Sequence, residues 1–331
     1  MATDESHFAW TIGPDDAGER LDRFLAARGV LGTRSQVHRL IAAGAVRVGD
    51  RAVKPGTVLR SGDEITVYRP APSPVETQPE PIPLDVLYED SWLLAINKPP
   101  GLVVHPAPGH RQGTLVSALL YRWPEPGAGL DPARLGIVHR LDKDTSGVML
   151  IARTAAALAD LGRQFRAREV HKQYLALVCG APRAHGGLID RPIARHPIHR
   201  QRMAVRACGR AARTRYEVVE RFRGITLVRA YPETGRTHQI RLHLAAQGHP
   251  VLGDRLYGHA RPGDAGLISR QALHAEAIAF RHPVTGDELR LEAPLAADFA
   301  ATLARLGATS LTSPGAFTSV PPVSAARHDA G

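Results

Sequence analysis

The stretch IVHRLDKDTSG, residues 137–147, places acids and cations side by side and then ends in a polar turn. Asp142 and Asp144 are the acids. Arg140 and Lys143 are the cations next to them. Three interpretations are open. The stretch is a simple turn, a calcium loop, or the position of a catalytic carboxylate that the neighbouring cations keep ionised.

The calcium interpretation can be tested on spacing alone. Oxygen-bearing residues at Asp142, Asp144 and Ser146, followed by Gly147, match the first half of an EF-hand loop. Position 12 of such a loop has to be a bidentate glutamate, and here it is Arg153. Calcium is therefore excluded, and the catalytic interpretation needs partners elsewhere in the chain.

Length and charge narrow the class of protein. A chain of 331 residues favours two domains, and 42 Lys and Arg against 32 Asp and Glu give a net charge of +10. This favours a polyanionic partner, nucleic acid above all, although a GC-rich genome also raises arginine content. The two cysteines, Cys179 and Cys208, are too far apart for a zinc cluster or a disulfide framework.

Composition divides the chain into segments. Residues 70–83 hold six prolines and predict a linker between a small module, residues 18–69, and a large one, residues 84–306. Residues 1–17 are expected to be an N-terminal extension, and residues 307–331 a disordered tail. The acidic start lacks the cations of a signal peptide, and no apolar run reaches about 18 residues, so we expect a soluble cytoplasmic protein without membrane contact.

In the small module, the spacing of apolar residues predicts two helices and a further strand, and Gly49-Asp50 predicts a hairpin. From residue 28 to residue 60 it carries seven Lys or Arg and one acid. ERLDRFLA and RSQVHRLIAAGAVRVGD resemble the S4 RNA-binding domain, which docks structured RNA through its second helix and the following turn. The resemblance implies four RNA-contact residues: Arg34, Gln36, His38 and Arg39. The alternative is a basic appendage without a specific role.

The large module predicts an α+β domain with a mainly antiparallel sheet. Residues 114–123 and 155–169 have helical periodicity, and strand-like runs dominate the middle. We interpret HQIRLHLAAQG, residues 238–248, as one of these strands because its apolar residues alternate.

Two further stretches are rich in functional groups. At the start of a predicted strand, Lys172 and Tyr174 share a face. GRTHQIRLH, residues 235–243, is denser in polar groups than a strand requires. A buried arginine needs an anionic partner, so if Arg241 is buried, Asp142 is the candidate. No zinc-protease, hydrolase-elbow, Walker or dinucleotide motif occurs, and this favours chemistry without a metal.

Four stretches together resemble the pseudouridine synthases of the large-subunit ribosomal RNA type, in the branch with an N-terminal S4 domain. They are INKPPGLVVHPAPGH, GIVHRLDKDTSGVMLIAR, HKQYLALVCG and TGRTHQIRLHLAAQGHPVLGDRLYG. The resemblance implies that Asp142 is the catalytic residue and that Arg241 is its basic partner. It also implies that Tyr174 packs on the uracil and moves a proton, and that Arg140 fills the gap left by the flipped nucleotide.

The expected reaction isomerises uridine to pseudouridine without a cofactor, because it involves neither redox chemistry nor phosphate transfer. Attack by the aspartate on C1′ and elimination through a glycal both remain open. The basic run at residues 191–216, with eight arginines and no acid, predicts further RNA contacts, including Arg200 and Arg202, or else a solvated hairpin.

The expected partner is large-subunit ribosomal RNA or a pre-ribosomal particle, and the expected state is a monomer. The S4-like module favours ribosomal RNA. Transfer RNA as the substrate, or a non-catalytic ribosome-assembly factor with the same fold, are the alternatives.

Overall fold

The structure is a computed structural model that describes residues 6–28, 34–69, 77–106, 112–124, 129–131, 135–199, 202–258 and 266–308. The chain forms two compact units, Met1–Glu76 and Thr77–Gly331.

The first unit packs two helices on a small sheet. Its elements in chain order are β1 (Ser6–Thr11), a 3-10 turn (Pro14–Asp16), α1 (Leu21–Ala27), α2 (Arg34–Ala42), β2 (Val46–Val48), β3 (Arg51–Ala52) and β4 (Glu64–Arg69). The strand order is β1-β4-β2-β3, with all pairs antiparallel. Leu21, Phe24 and Leu25 of α1 pack with Val37 and Ile41 of α2 in the core. The two helices and the hairpin predicted for this module are confirmed.

The expected N-terminal extension is corrected by β1, which pairs antiparallel with β4 from Ser6↔Arg69 to Thr11↔Glu64. Ile12 is buried in the core, and Phe8 and Trp10 pack against it. Residues 6–12 are therefore part of this domain. The physical reason is that the six residues of β1 pair with the side of β4 that β2 does not occupy, and the apolar side chains of β1 cover one side of the core.

The predicted linker is shorter than residues 70–83. Residues 77–83 run over the second unit, where the Glu80 N–H donates to the Ser117 carbonyl at 3.0 Å and Ile82 packs on a core cluster. Residues 70–76 of the linker and residues 309–331 of the expected disordered tail lie outside the described residues.

The second unit is built on a nine-stranded sheet. The strands of this unit, nine in the large sheet and two in a separate hairpin, are β5 (Asp85–Glu89), β6 (Leu93–Lys98), β7 (Ser146–Ala152), β8 (His171–Cys179), β9 (Gly186–Asp190), β10 (Ile193–Arg195), β11 (Met203–Val205), β12 (Arg213–Arg221), β13 (Ile225–Pro232), β14 (Leu273–Arg281) and β15 (Glu288–Glu292). Its helices are α3 (Leu115–Arg122), α4 (Ala155–Ala167), α5 (Gln239–Ala246) and α6 (Ala297–Arg305).

The large sheet has the order β5-β6-β7-β14-β8-β13-β12-β9, with β15 beside β14, and β10 and β11 form a separate hairpin. Only β7 and β14 pair in parallel among these described strands. Alternate residues of β6 face opposite sides, so that Leu94 packs in the cluster with α3 and Leu93 in the cluster with α4. The predicted α+β class with a mainly antiparallel sheet is confirmed.

The strand predicted at residues 238–248 is wrong, because Gln239–Ala246 forms the helix α5. Ile240 and Leu244, one turn apart, pack in the main core, whereas Leu242 packs in a separate cluster on another side. A helix buried on several sides loses its polar face, and its apolar residues then imitate the alternation of a strand. The glycine Gly248, with φ 83°, ends the helix in the usual way.

Candidate active site

The acidic loop lies directly before β7 and is a tight turn closed by the Thr145 N–H, which donates to the Asp142 carbonyl at 3.0 Å. Just after the loop, Gly147 has φ 112°, and a Cβ there would lie 2.2 Å from the Ala275 carbonyl oxygen. Only glycine fits such a close approach. This glycine lets β14 pair with the first residues of β7, which holds the end of the loop on the sheet.

A buried lysine supports the loop from below. Lys98, at the end of β6, is 0% exposed, and burial lowers its pKa to about 7. Its Nζ donates to the carbonyls of Pro99, Leu102 and Lys143 at 2.8, 3.0 and 2.9 Å. These bonds use all three ammonium hydrogens and tie the acidic loop to the turn after β6. This role of Lys98 could not be predicted from the sequence, because backbone carbonyl acceptors have no sequence signature.

Asp142 and Arg241 contact each other as predicted. Arg241 Nη1 donates to Asp142 Oδ2 at 2.9 Å. On its other side the guanidinium makes a bidentate pair with Asp254, from Nε to Oδ2 at 2.7 Å and from Nη2 to Oδ1 at 2.9 Å. The two carboxylates raise the pKa of Arg241 above its ordinary value even though burial opposes this. Arg241 is therefore a permanent cation that bridges two acids.

Asp254, the second partner of Arg241, was not among the residues predicted from the sequence. Its side chain is 0% exposed, and its Oδ1 also accepts the N–H groups of Leu256 and Tyr257 at 2.9 and 3.1 Å. The hydrogen bonds to Arg241 favour its ionised form, so its pKa is lowered despite burial. The available signal was the Gly-Asp of VLGDRLYG, 13 residues after Arg241, because the five N–H donors of a buried guanidinium need more than one acceptor.

These groups open into a cleft of about 590 Å³ that also contains Tyr174 of β8. Burial, and then the charge of Asp142, raise the pKa of Tyr174 well above its ordinary value, so its hydroxyl stays protonated at neutral pH. Cations dominate the charged residues of the walls: Arg140, Arg166, Arg168, Lys172, Arg236 and Arg241. The acids among the lining residues are Asp142 and Glu233. The excess of cations suits an anionic substrate.

His139 lies beside these groups but has a structural role. Its Nε2 accepts the Leu150 N–H at 2.9 Å, and its ring stacks on Phe165 with centroids 4.8 Å apart. Loss of water, and then the charge of Lys172, lower the pKa of His139 to about 3. The ring therefore remains a neutral acceptor in the folded protein.

We expect this histidine to make the fold sensitive to acid. The unfolded chain binds a proton at His139 near its ordinary pKa of 6.5, and the folded protein only near 3, so stability falls as pH drops between these values. His139→Gln, which keeps an acceptor, should reduce that fall by roughly 1 kcal/mol per pH unit. Urea unfolding at pH 7 and pH 4.5 measures it, with the exposed His199→Gln as control. An equal pH dependence in both variants would refute this role.

The other predicted RNA-binding residues fall into two groups. Arg140 is exposed at the cleft, and Arg202 is exposed in the turn that joins β10 to β11. In the first unit, Arg34 Nη2 and His38 Nε2 lie 2.6 and 2.8 Å from Oδ2 of the buried Asp22. Residue Arg200 and the side chains of Gln36 and Arg39 lie outside the described part of the chain.

Asp22 also pairs with Arg20, from Nε to Oδ1 at 3.1 Å. The hydrogen bond from Arg20, with those from His38 and Arg34, lowers the pKa of Asp22 far below its ordinary value in spite of desolvation. One carboxylate thus gathers two guanidinium groups and an imidazole on the surface. The cluster keeps a net positive charge.

In the parts of the chain that the structure describes, no three His, Cys, Asp or Glu side chains come together as a metal site. No helix in the same parts is long and apolar enough to cross a membrane.

Comparison with known families gives two matches along the chain. Residues 19–65 match the S4 domain, and residues 92–246 match the RNA pseudouridylate synthase family. The second match contains Asp142, Tyr174 and Arg241, whereas Asp254 lies beyond its end.

Individual proteins and structures agree with these matches. Ribosomal large subunit pseudouridine synthase D of Xanthomonas campestris is 45% identical over 305 residues, which cover 89% of this chain and 91% of that protein. The protein of the same name from Xylella fastidiosa is 43% identical, with the same shares. The solved structure of human RNA pseudouridylate synthase domain containing 1 is 28% identical, with a TM-score of 0.53, covering 67% of this chain and 85% of that one. The chain therefore belongs to the RNA pseudouridine synthases, the isomerases that convert uridine to pseudouridine in RNA, and it carries the S4 domain in addition.

Proposed function

We propose that this enzyme acts on large-subunit ribosomal RNA and that Asp142 is its catalytic carboxylate. The role of Asp142 is supported by its position in a cationic cleft, where Arg241 Nη1 donates to its Oδ2 at 2.9 Å. The ribosomal RNA substrate is supported by the relatives, which are named for the large ribosomal subunit. The S4 domain supports it as a second RNA-binding element.

The reaction breaks the N1–C1′ bond of uridine, turns the ring and joins C5 to C1′. A proton leaves C5 and a proton is bound at N1, so the isomerisation is balanced without electron or phosphate transfer. No cofactor is therefore part of the proposal. Asp142 stabilises the positive charge that develops at C1′, either by forming a bond to it or by assisting elimination. Arg241 favours the ionised carboxylate that both routes need.

Tyr174 is proposed to pack against the uracil ring and to exchange a proton with it. Its raised pKa supports a protonated hydroxyl at neutral pH. A phenol in this state is a proton donor, and it acts as a base only after another group has accepted its hydrogen. This favours Asp142, over Tyr174, as the first base in an elimination route.

The cations of the cleft walls have a separate role in this proposal. The target uridine must leave its stack, which costs a few kcal/mol, and loop nucleotides need the least. Arg140 is exposed at the cleft and is placed to stack in the space that the base leaves. Lys172, whose pKa burial lowers to about 8, and Arg236 neutralise nearby phosphates.

The test is tritium release from 5-³H-uridine in an unmodified large-subunit ribosomal RNA transcript, with a pool of transfer RNA assayed in parallel. We expect release from the ribosomal transcript only. Release from transfer RNA alone would show that the substrate is transfer RNA and not ribosomal RNA. Tight binding of ribosomal RNA without any release would favour the assembly-factor alternative.

The basic cluster of the first unit makes a separate prediction about binding. Arg34 is 53% exposed and is held by Asp22, so it is placed to contact a phosphate. Arg34→Gln should weaken binding to ribosomal RNA and reduce the slope of log affinity against log salt by about 0.7 to 0.9. The single-turnover rate at saturating RNA should not change. Filter binding from 50 to 300 mM salt measures the slope.

A matched control is Arg163→Gln, because Arg163 is exposed on α4 and its charge is already shared by Asp160 and Glu169. Equal slopes for the two variants would show that Arg34 makes no phosphate contact.

A further inference from the structure

His238, the residue before α5, lies next to Asp142 and has no role in the proposal above. Its backbone is left-handed, with φ 56° and ψ 22°, which is uncommon for a residue other than glycine. A strained backbone of this kind persists only where surrounding contacts hold it, and such contacts concentrate at functional sites. The ring contacts of His238 are with Tyr257 and Asp142.

Tyr257 holds one nitrogen of this ring. The Tyr257 hydroxyl oxygen lies 2.9 Å from His238 Nδ1 and accepts the Met203 N–H at 2.9 Å. Among the described residues, His238 Nδ1 is the acceptor within reach of the hydroxyl hydrogen, and we infer that the hydroxyl donates to it. A neutral imidazole whose Nδ1 accepts a hydrogen bond carries its own hydrogen on Nε2.

The other nitrogen faces the carboxylate. His238 Nε2 lies 3.9 Å from Asp142 Oδ1, whereas Arg241 holds Oδ2 at 2.9 Å. The guanidinium and the imidazole therefore lie beside different oxygens of the same carboxylate. Oδ1 is the oxygen that Arg241 leaves available, and Nε2 is the ring donor beside it. A distance of 3.9 Å is too long for a hydrogen bond, and a small movement of either side chain would bring the two atoms within hydrogen-bond distance.

The charges around the ring oppose each other. Asp142 and Asp254 favour an imidazolium, whereas Arg241 and Arg140 disfavour it. Burial is the largest influence and lowers the pKa of His238 below its ordinary value. The ring is therefore neutral at neutral pH, as the hydrogen bond from Tyr257 requires.

We propose that His238 is a positioning residue that directs its Nε2–H at the free oxygen of Asp142, and that Tyr257 sets the tautomer that makes this possible. An uncharged donor orients Oδ1 without forming a second ion pair, so the oxygen remains reactive. This inference rests on the proposed role of Asp142, but the tautomer itself does not. The competing explanation is that the pair only stabilises the start of α5.

Two substitutions at His238 separate these explanations. The amide of asparagine reaches only the position of Nδ1, and asparagine tolerates the left-handed backbone, so His238→Asn removes the donor with little strain. The longer glutamine amide reaches the position of Nε2. We expect His238→Asn to lower the single-turnover rate of tritium release by about tenfold to a hundredfold at saturating RNA, with unchanged RNA affinity. His238→Gln should recover most of this loss. A wild-type rate in His238→Asn would overturn the proposal.

Tyr257→Phe tests the tautomer through pH. Without the hydroxyl, the neutral ring loses the hydrogen bond that favours it, so the pKa of His238 rises. Because the neutral ring is the active form, activity should then be lost at a higher pH than in the wild type. If Tyr257 had only a structural role, Tyr257→Phe would lower the rate at every pH and would not change the pH at which activity is lost on acidification. This result would contradict the proposal.

A measurement without RNA keeps this inference separate from the proposed function. Nitrogen-15 NMR of the imidazoles, with His238 assigned from its loss in His238→Asn, should show an unprotonated Nδ1 and a protonated Nε2. The opposite tautomer would overturn the inference whatever the activity. If wild-type protein released no tritium from any RNA, the proposed function would fail while this measurement still tested the tautomer.

Discussion

Asp142→Asn is expected to abolish pseudouridine formation and to leave RNA binding nearly unchanged. Asparagine has almost the shape of aspartate but no negative charge, so it can neither form the bond to C1′ nor assist its cleavage. The fold should tolerate the change, because Arg241 keeps its bidentate pair with Asp254. Tritium release and filter binding with the same ribosomal transcript measure both properties. Substantial turnover by this variant would remove Asp142 from its proposed role.

Asp144→Asn is the matched control, because Asp144 lies two residues further along the same loop. Its backbone carbonyl, which the substitution keeps, accepts the Arg270 Nη1–H at 2.8 Å. We expect Asp144→Asn to keep the rate within about tenfold of the wild type, which is the scale of a lost surface interaction. An equal loss in the two variants would mean that the charge of the loop matters and the position of Asp142 does not.

Asp254→Asn should have the second largest effect and should change stability as well as rate. Asp254 is the buried partner of Arg241 and accepts four hydrogen bonds through its two oxygens. Removal of its charge leaves a buried guanidinium with a single carboxylate, and breaking a buried pair costs about 3 to 5 kcal/mol. Because Arg241 is then free to shift, and misplacement by about 1 Å can cost a hundredfold, the single-turnover rate should fall by about that factor.

Asp190→Asn provides the comparison for this prediction. Asp190 is 58% exposed and pairs with Arg213, so its substitution should change the free energy of unfolding by less than about 1 kcal/mol. Urea unfolding and single-turnover assays of both variants decide the question. If Asp254→Asn retained the wild-type rate, Arg241 would not depend on Asp254 for its position.

In the candidate site, the contact between charged residues was predicted correctly, whereas the secondary structure that carries one of them was not. The contact between Asp142 and Arg241 is present, although Arg241 lies on a helix and was predicted on a strand. The prediction held because it depended on the requirement of a buried cation for an anion, and that requirement is the same on either element. The strand predicted at residues 238–248 was wrong because α5 is covered on several sides, so its apolar residues do not form the single stripe that is typical of a helix.

The first unit shows a similar difference between motif and boundary. Its helices and hairpin follow local patterns of apolar residues and turn residues, which are visible in the sequence. The membership of β1 depends on pairing with β4, more than 50 residues later in the chain. Pairing of this kind is decided by the free edge of a sheet and by the core that the new strand covers.

The sequence alone determined the class of this protein, its two RNA-related domains and the residues Asp142, Tyr174 and Arg241 as candidates, because these depend on residue type and short spacing. The tertiary structure decided how those groups are held. Lys98 beneath the loop, Asp254 behind Arg241, and His238 beside the free oxygen of Asp142 became visible only there. The physical reason is that hydrogen bonds and ion pairs between distant residues are set by the path of the backbone and by burial, which no local pattern records.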